Sequence, residues 1–255
     1  MRFNLPHAKR SDMLAVALLV ATALPCAAQF VPPSPSAPES ASGITAKTLV
    51  TARRHMVVAA NPLAAEAGRE MLRAGGTAVD AMIAAQLVLN VVEPQSSGLG
   101  GGAFLVHFDA ARGAVTTYDG REVAPASARP DMLLDAEGKP LAFRDAVASG
   151  LSVGVPGLAS LLEVAHRRHG RLPLSRLAEP AIKLAGDGFQ VSPRLNAVLS
   201  GVGPAQSFDE KARALYFDTD GAPRPVGTTL VNPELAATLR AFRSEERRVG
   251  KEGRS

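Results

Sequence analysis

Tryptophan is absent from the 255 residues, and aromatic side chains make up only 4% of them. Hydrophobic residues reach 46%, so a core is available, but Ala, Leu and Val have to fill it. Cysteine occurs once, as Cys26 near the N-terminus, which leaves no intramolecular disulfide; stability has to come from packing. Charge of one sign is not in excess either. Twenty-eight basic residues face 24 acidic ones, and several of the basic ones sit at the two ends of the chain. The resulting +4 is slight and scattered, which excludes a nucleic-acid surface as the reading. The longest apolar run, residues 13–24, is too short to span a bilayer comfortably. A phosphate cradle is also missing: the glycine run at 98–102 does not have G-x-G-x-x-G spacing and leads toward a strand rather than a helix.

The N-terminus has the form of an export signal. Arg2, Lys9 and Arg10 precede the apolar run, and Cys26-Ala27-Ala28 supplies small residues for cleavage near Ala28. Residues 1–28 are therefore read as a signal peptide and the mature protein as periplasmic or secreted, with no membrane contact after cleavage. Pro25 directly before Cys26 sets that cysteine against a lipoprotein attachment. Residues 29–54, rich in Pro, Ser and Ala toward their start, form a solvated tether. Length then allows one larger domain or two small ones.

From residue 55 the punctuation is regular. Residues 56–60 read as a short buried strand. Asn61-Pro62 opens a helix that Gly75-Gly76 stops. Thr77-x-x-Asp80 has capping-box spacing, and the helix it opens is apolar nearly all round, as in an element buried between layers. Residues 103–108 and 114–118 alternate as two strands of a hairpin with Gly113 near its exit. Residues 124–130 are expected to be extended, and Asp135 to Gly138 marks a turn. Helices are predicted over 158–169, over 174–185, from Ser192-Pro193 to near Ser200, and from Asn232-Pro233 to about Phe242. Strands with one hairpin followed by several helices make an α+β protein. Residues 243–255 are almost wholly charged and small, and are read as a tail foreign to the natural sequence.

The chemistry-bearing stretch is Ser96-Ser97-Gly98-Leu99-Gly100-Gly101-Gly102-Ala103-Phe104, followed by Asp119-Gly120-Arg121-Glu122. Glycines let one backbone pass close to another. An arginine just beyond a strand is a natural fork for a carboxylate. Together they point to a pocket for a small anion, with Arg121 as the binding residue and Glu122 as its support. His166 and His169 share a helical face at a spacing that can hold a metal, but no third ligand accompanies them. They are read as a solvated last turn, with no metal or other cofactor.

Asn61-Pro62-Leu63-Ala64, Gly75 to Asp80, Glu93-Pro94, Gly98 to Gly102, Arg121-Glu122-Val123-Ala124-Pro125, Gly154-Val155-Pro156-Gly157 and Ala185-Gly186-Asp187-Gly188-Phe189 occur in the order seen in the large subunit of the γ-glutamyltranspeptidases. The resemblance covers roughly residues 55–242. It implies part of the αββα sandwich of the N-terminal-nucleophile hydrolases. It further implies γ-glutamyl transfer and hydrolysis on glutathione and other γ-glutamyl amides, through a γ-glutamyl ester on a threonine. On this reading Arg121 is the arginine that grips the substrate α-carboxylate, and Gly120, where an aromatic residue is common, alters the pocket wall. Thr116-Thr117 and Thr228-Thr229 lack the expected following histidine, so no catalytic residue is assigned. The nucleophile, and a small subunit cut from the same precursor, are expected to lie outside this chain, which is read as an inactive large-subunit fragment exposing apolar surface. Two alternatives remain open: a glutaryl or cephalosporin acylase relative, and a non-catalytic periplasmic binder of γ-glutamyl compounds.

Overall fold

The computed structural model describes residues 49–202 and 209–245. Residues 1–28, read above as a signal peptide, most of the segment read as a tether, and residues 246–255 lie outside them. No helix among the described residues is long and apolar enough to cross a membrane.

Two helices form the centre. Helix α1, Pro62–Arg73, starts where Asn61 Oδ1 accepts the Leu63 N–H at 3.0 Å, with Pro62 in the first turn. Helix α2, Ala78–Val92, is opened by a complete capping box. Thr77 Oγ1 accepts from Asp80 N at 3.2 Å, and Asp80 Oδ2 accepts from Thr77 N at 2.8 Å. Ala81, Ile83, Ala84, Leu87, Val88 and Val91 are all buried, so α2 meets neighbours around nearly its whole circumference. The short side chains of α1 let it come close: a Cβ on Gly68 would lie 2.9 Å from the Ala81 carbonyl oxygen.

The hairpin has the expected register. Strand β1, Ala103–Asp109, pairs antiparallel with β2, Ala114–Gly120, from Ala103 opposite Gly120 to Asp109 opposite Ala114. Gly113, at φ 62°, takes the left-handed position in the connecting turn. Side chains alternate across the sheet. Leu105 and Tyr118 face the core, whereas Phe104, Val106, Phe108 and Val115 stand on the opposite face, each at least 62% exposed.

After the short helix α3, Phe143–Ala148, come α4, Leu158–His169, and α5, Leu174–Asp187. Both turn Leu and Ala stripes toward α2, and α4 also packs against β2. Strand β3, Phe189–Gln190, pairs with β4, Thr229–Leu230. Helices α6, Pro193–Val202, and α7, Glu210–Tyr216, lie between them, and α8, Pro233–Glu245, packs on α5.

Several expectations change. Residues 56–60 do not form a buried strand. Val57 and Ala59 touch the core, but Met56 and Val58 point outward, and no ladder partner exists for them among the described residues. Residues 124–130 contain a turn, closed by Ala128 N donating to Pro125 O at 2.9 Å. Helices α3 and α7 and the two-residue strands were not foreseen, because six or seven residues carry too little periodicity to register. Helix α8 continues through Glu245, so the first residues of the segment set apart at 243 extend it.

Asp80 couples these elements. It has no exposed surface, and its carboxylate also accepts the Arg171 and Leu172 backbone N–H groups at 3.0–3.3 Å from the α4–α5 connection. Replacing it by alanine leaves three partly buried backbone donors without that acceptor and removes a cap. Asp80→Ala is expected to cost about 3 kcal/mol, read as a shift in the urea midpoint with an unchanged slope.

Candidate functional site

The candidate site forms where β2 ends. Beyond Gly120 the chain runs beside a second segment: Val123 and Val155 exchange backbone hydrogen bonds at 3.3 and 2.9 Å, and this bridge brings residues 153–155 alongside Glu122. Helix α4 then starts at Gly157. The first amides of α4 have no side-chain cap. Instead the Gly101 carbonyl oxygen accepts from Gly157 N at 3.2 Å and Leu158 N at 3.0 Å.

Glycines make this junction possible. A Cβ on Gly102 would lie 2.6 Å from Glu122 Oε2 and 2.7 Å from the Gly120 oxygen, and one on Gly154 would lie 2.9 Å from Glu122 Cβ. A Cβ on Gly157 would strike the Gly120 carbonyl outright. Gly98 and Gly100, by contrast, have open space around them. The conspicuous run at 98–102 is therefore needed mainly at Gly102. The other essential glycines, 120, 154 and 157, come from segments that the sequence does not show to be in contact.

Gly120 lies against α4: a Cβ there would lie 2.7 Å from both Cβ and Cδ1 of Leu161, because Leu161 of α4 fills the space. Leu161 was missed because its spacing marks it only as a core residue of a helix.

Arg121 and Glu122 stand on this junction. The Arg121 backbone N–H donates to Asp119 Oδ1 at 2.9 Å, which fixes the turn. The guanidinium Nη1 lies 3.0 Å from Glu122 Oε2, but without the alignment of a hydrogen bond; that oxygen is sealed from water and has no aligned donor. Glu122 thus holds Arg121 by charge and proximity. The N–H fork stays available, and the Arg121 side chain is 66% exposed. Beside it lies an open cleft of ≈ 570 Å³, walled by Val123, Pro125, Met132, Leu133, Leu151 and Val153. A small molecule with a carboxylate at one end and aliphatic carbon behind it matches this combination of fork and apolar wall.

The other sequence candidates lie elsewhere. Thr116 and Thr117 are in β2 opposite His107 and Val106, and Thr229 pairs with Gln190 in the separate β3–β4 ladder. His166 and His169 are not a solvated turn. His166 Nε2 donates to the Leu172 carbonyl at 2.7 Å, close to Asp80, and His169 lies against β1 and β2. Their ring bodies are drawn in by the loop after α4 and by the hairpin, neither of which is visible from an i, i+3 spacing.

The α+β fold with this site is that of the N-terminal-nucleophile hydrolases, of whose αββα sandwich it is part. Helicobacter pylori γ-glutamyltranspeptidase superposes with a TM-score of 0.72 at 30% identity, over 78% of this chain and 56% of that one. Cephalosporin acylase from Bacillus halodurans gives a TM-score of 0.55 at 25% identity, over 81% of this chain and 40% of that one. Residues 64–249 match the model of the γ-glutamyltranspeptidase family, and the chain belongs to that family. It is 38% identical over 228 residues to a glutathione hydrolase proenzyme of Bacillus subtilis, covering 89% of this chain and 38% of the relative. It is 35% identical to that of Escherichia coli, covering 81% of this chain and 36% of the relative. The chain thus spans little more than a third of the length of these relatives.

Two alanine substitutions separate the needed glycines from the dispensable ones. Gly120→Ala forces Leu161 aside in a packed interior and is expected to cost about 1–3 kcal/mol. Gly98→Ala is expected to stay within about 0.5 kcal/mol of the parent. Denaturant midpoints of the two variants measure the contrast.

Proposed function

We propose that this chain supplies the γ-glutamyl-binding part of an exported enzyme that hydrolyses or transfers the γ-glutamyl group of glutathione and related amides. The observation that carries this reading is Arg121: an exposed fork, held by Glu122 without using up its donors, at the mouth of an aliphatic-walled cleft. In the reaction the α-carboxylate of the γ-glutamyl group pairs with Arg121. A threonine hydroxyl adds to the γ-carbonyl carbon and the amide nitrogen leaves with a proton, forming a γ-glutamyl ester. Water or an amine then takes the acyl group and regenerates the threonine. The free α-amine of that threonine serves as its base. Thr116, Thr117 and Thr229 do not stand at the Arg121 cleft, and none of them is assigned as the nucleophile. The word proenzyme in the relatives' names supports a precursor that is cut to expose it. The exposed outer face of the hairpin, with Phe104, Val106 and Phe108, is where the remaining part of such a precursor packs.

A glutaryl carboxylate fits the same fork, as the likeness to a cephalosporin acylase would require. The higher identities to glutathione hydrolases favour the α-amino acid substrate.

The test joins this chain to the C-terminal remainder of the Bacillus subtilis relative and measures release of aniline from a γ-glutamyl anilide. Arg121→Lys keeps the charge but loses the two-pronged pair, so kcat/KM is expected to fall by about 2 kcal/mol, roughly 30-fold. The same substitution leaves turnover of the 4-aminobutanoyl anilide, which lacks the α-carboxylate, little changed. Equal sensitivity of both substrates would remove Arg121 from the carboxylate site.

A further inference from the structure

At the far end of α4 from Arg121 lies a group of side chains that the proposed reaction does not use. The rings of His107, on β1, and His169, in the last turn of α4, stack face to face with centroids 3.9 Å apart and planes 21° from parallel. Tyr118, on β2, meets His169 edge-on, its hydroxyl 2.5 Å from His169 Nε2. Three residues from three elements therefore close on one point, and they join the hairpin to the helix.

We propose that the His107–His169 stack is an acid-released latch: neutral, it holds the loop end of the β1–β2 hairpin on the last turn of α4, and protonated it lets the two part. A neutral His169 can accept the Tyr118 hydroxyl proton at Nε2 and stack on a neutral His107. Two imidazolium rings at this separation repel, and protonation of Nε2 removes the acceptor that Tyr118 uses.

The charged surroundings do not offset that repulsion. On α4 itself, Arg168 lies over the Tyr118 ring with Cζ 5.5 Å from its centroid. From the hairpin, Arg112 adds a second cation and Asp109 the one carboxylate that acts on His169. Asp109 is already engaged: its Oδ2 lies 3.7 Å from Arg112 Nε and its Oδ1 accepts the Ala111 and Arg112 backbone N–H groups. His107 Nδ1 is buried and has no hydrogen-bond partner among the described residues.

The titration runs in the direction the geometry requires. Burial first, then His107 and Arg168, hold His169 below its ordinary value of 6.5. The folded value lies below the unfolded one, so the stabilisation is complete above about pH 6.5 and is lost as pH falls through the folded value. The other end of the contact carries no imidazole. Leu161 against Gly120, and the α4 amides on the Gly101 carbonyl, are apolar packing and backbone hydrogen bonds. Acid therefore frees the loop end of the hairpin while the end beside Arg121 stays docked. This holds whatever ligand Arg121 takes.

The test follows the histidine ring proton shifts of the full chain by NMR against pH. His169 is expected to titrate below 6.5. In parallel, the thermal midpoint is compared between about pH 7.5 and about pH 5 for the parent and His107→Phe, which keeps a stacking ring but cannot be charged. The parent is expected to lose about 3 °C more than the variant over that range. If His107→Phe does not fold, His107→Gln is read in its place. A His169 midpoint at or above 6.5, or an acid sensitivity that is the same in parent and variant, overturns the latch.

Discussion

The described structure depends on the carboxylate of Asp80. It is wholly buried, and a buried carboxylate is tolerated only when its oxygens are filled by donors. Here the donors come from two places far apart in sequence, the amide of Thr77 and those of Arg171 and Leu172. One side chain thus starts the central helix and also fixes where α4 ends and α5 begins. His166, reaching back to the Leu172 carbonyl, closes the same joint from the α4 side. A second buried carboxylate does similar work at the other end of α2. Glu93, 2% exposed, receives Asn61 Nδ2 at 3.0 Å and Gln95 Nε2 at 2.6 Å and pairs with Arg194 at 3.2 Å. The helical layer is pinned at both ends of α2 by acidic groups, and aliphatic packing fills the length between.

With α2 pinned, α4 has one place to lie, and that place determines the candidate site. Helix α4 meets the end of β2 through glycines on both sides, so its first amides reach the Gly101 carbonyl and Leu161 fills the space above Gly120. The closeness leaves Glu122 under Arg121 with one oxygen shut off from water. A more distant helix would let water solvate Glu122 and let Arg121 swing free. The enclosure of Glu122 beneath Arg121 thus comes from the absence of side chains around it, and only one end of the helix–hairpin contact has this character. The other end is aromatic and titratable, built from His107, Tyr118 and His169. The same helix therefore meets the hairpin through close packing and backbone hydrogen bonds near Arg121 and through stacked rings away from it.

Much of this was legible from local rules. Asn61-Pro62, Thr77-x-x-Asp80 and the apolar alternation of residues 103–108 and 114–118 act within a turn or along a strand, so their outcome is written in neighbouring residues. Arg121 was legible as a fork at a strand end for the same reason. The failures share a different cause. Residues 56–60 have the composition of a strand, but a strand needs a partner, and none is present among the described residues. What packs on Gly120 was not visible, because its neighbour in space, Leu161, lies forty-one residues on. His166 and His169 read as solvated because helical spacing says which face they share and not what covers that face.

By itself, then, the sequence determined where helices begin, how the hairpin registers, which residues are apolar enough to build a core without tryptophan or disulfides, and the family to which the order of motifs points. These depend on backbone conformation and on patterns a few residues long. Only the tertiary structure decided that Glu122 is enclosed while Arg121 stays open, that Leu161 occupies the space above Gly120, and that two histidines stack between the hairpin and α4. Each of those is a contact between segments distant in sequence, and it exists only because buried Asp80 and a set of side-chain-free glycines bring the segments within van der Waals reach.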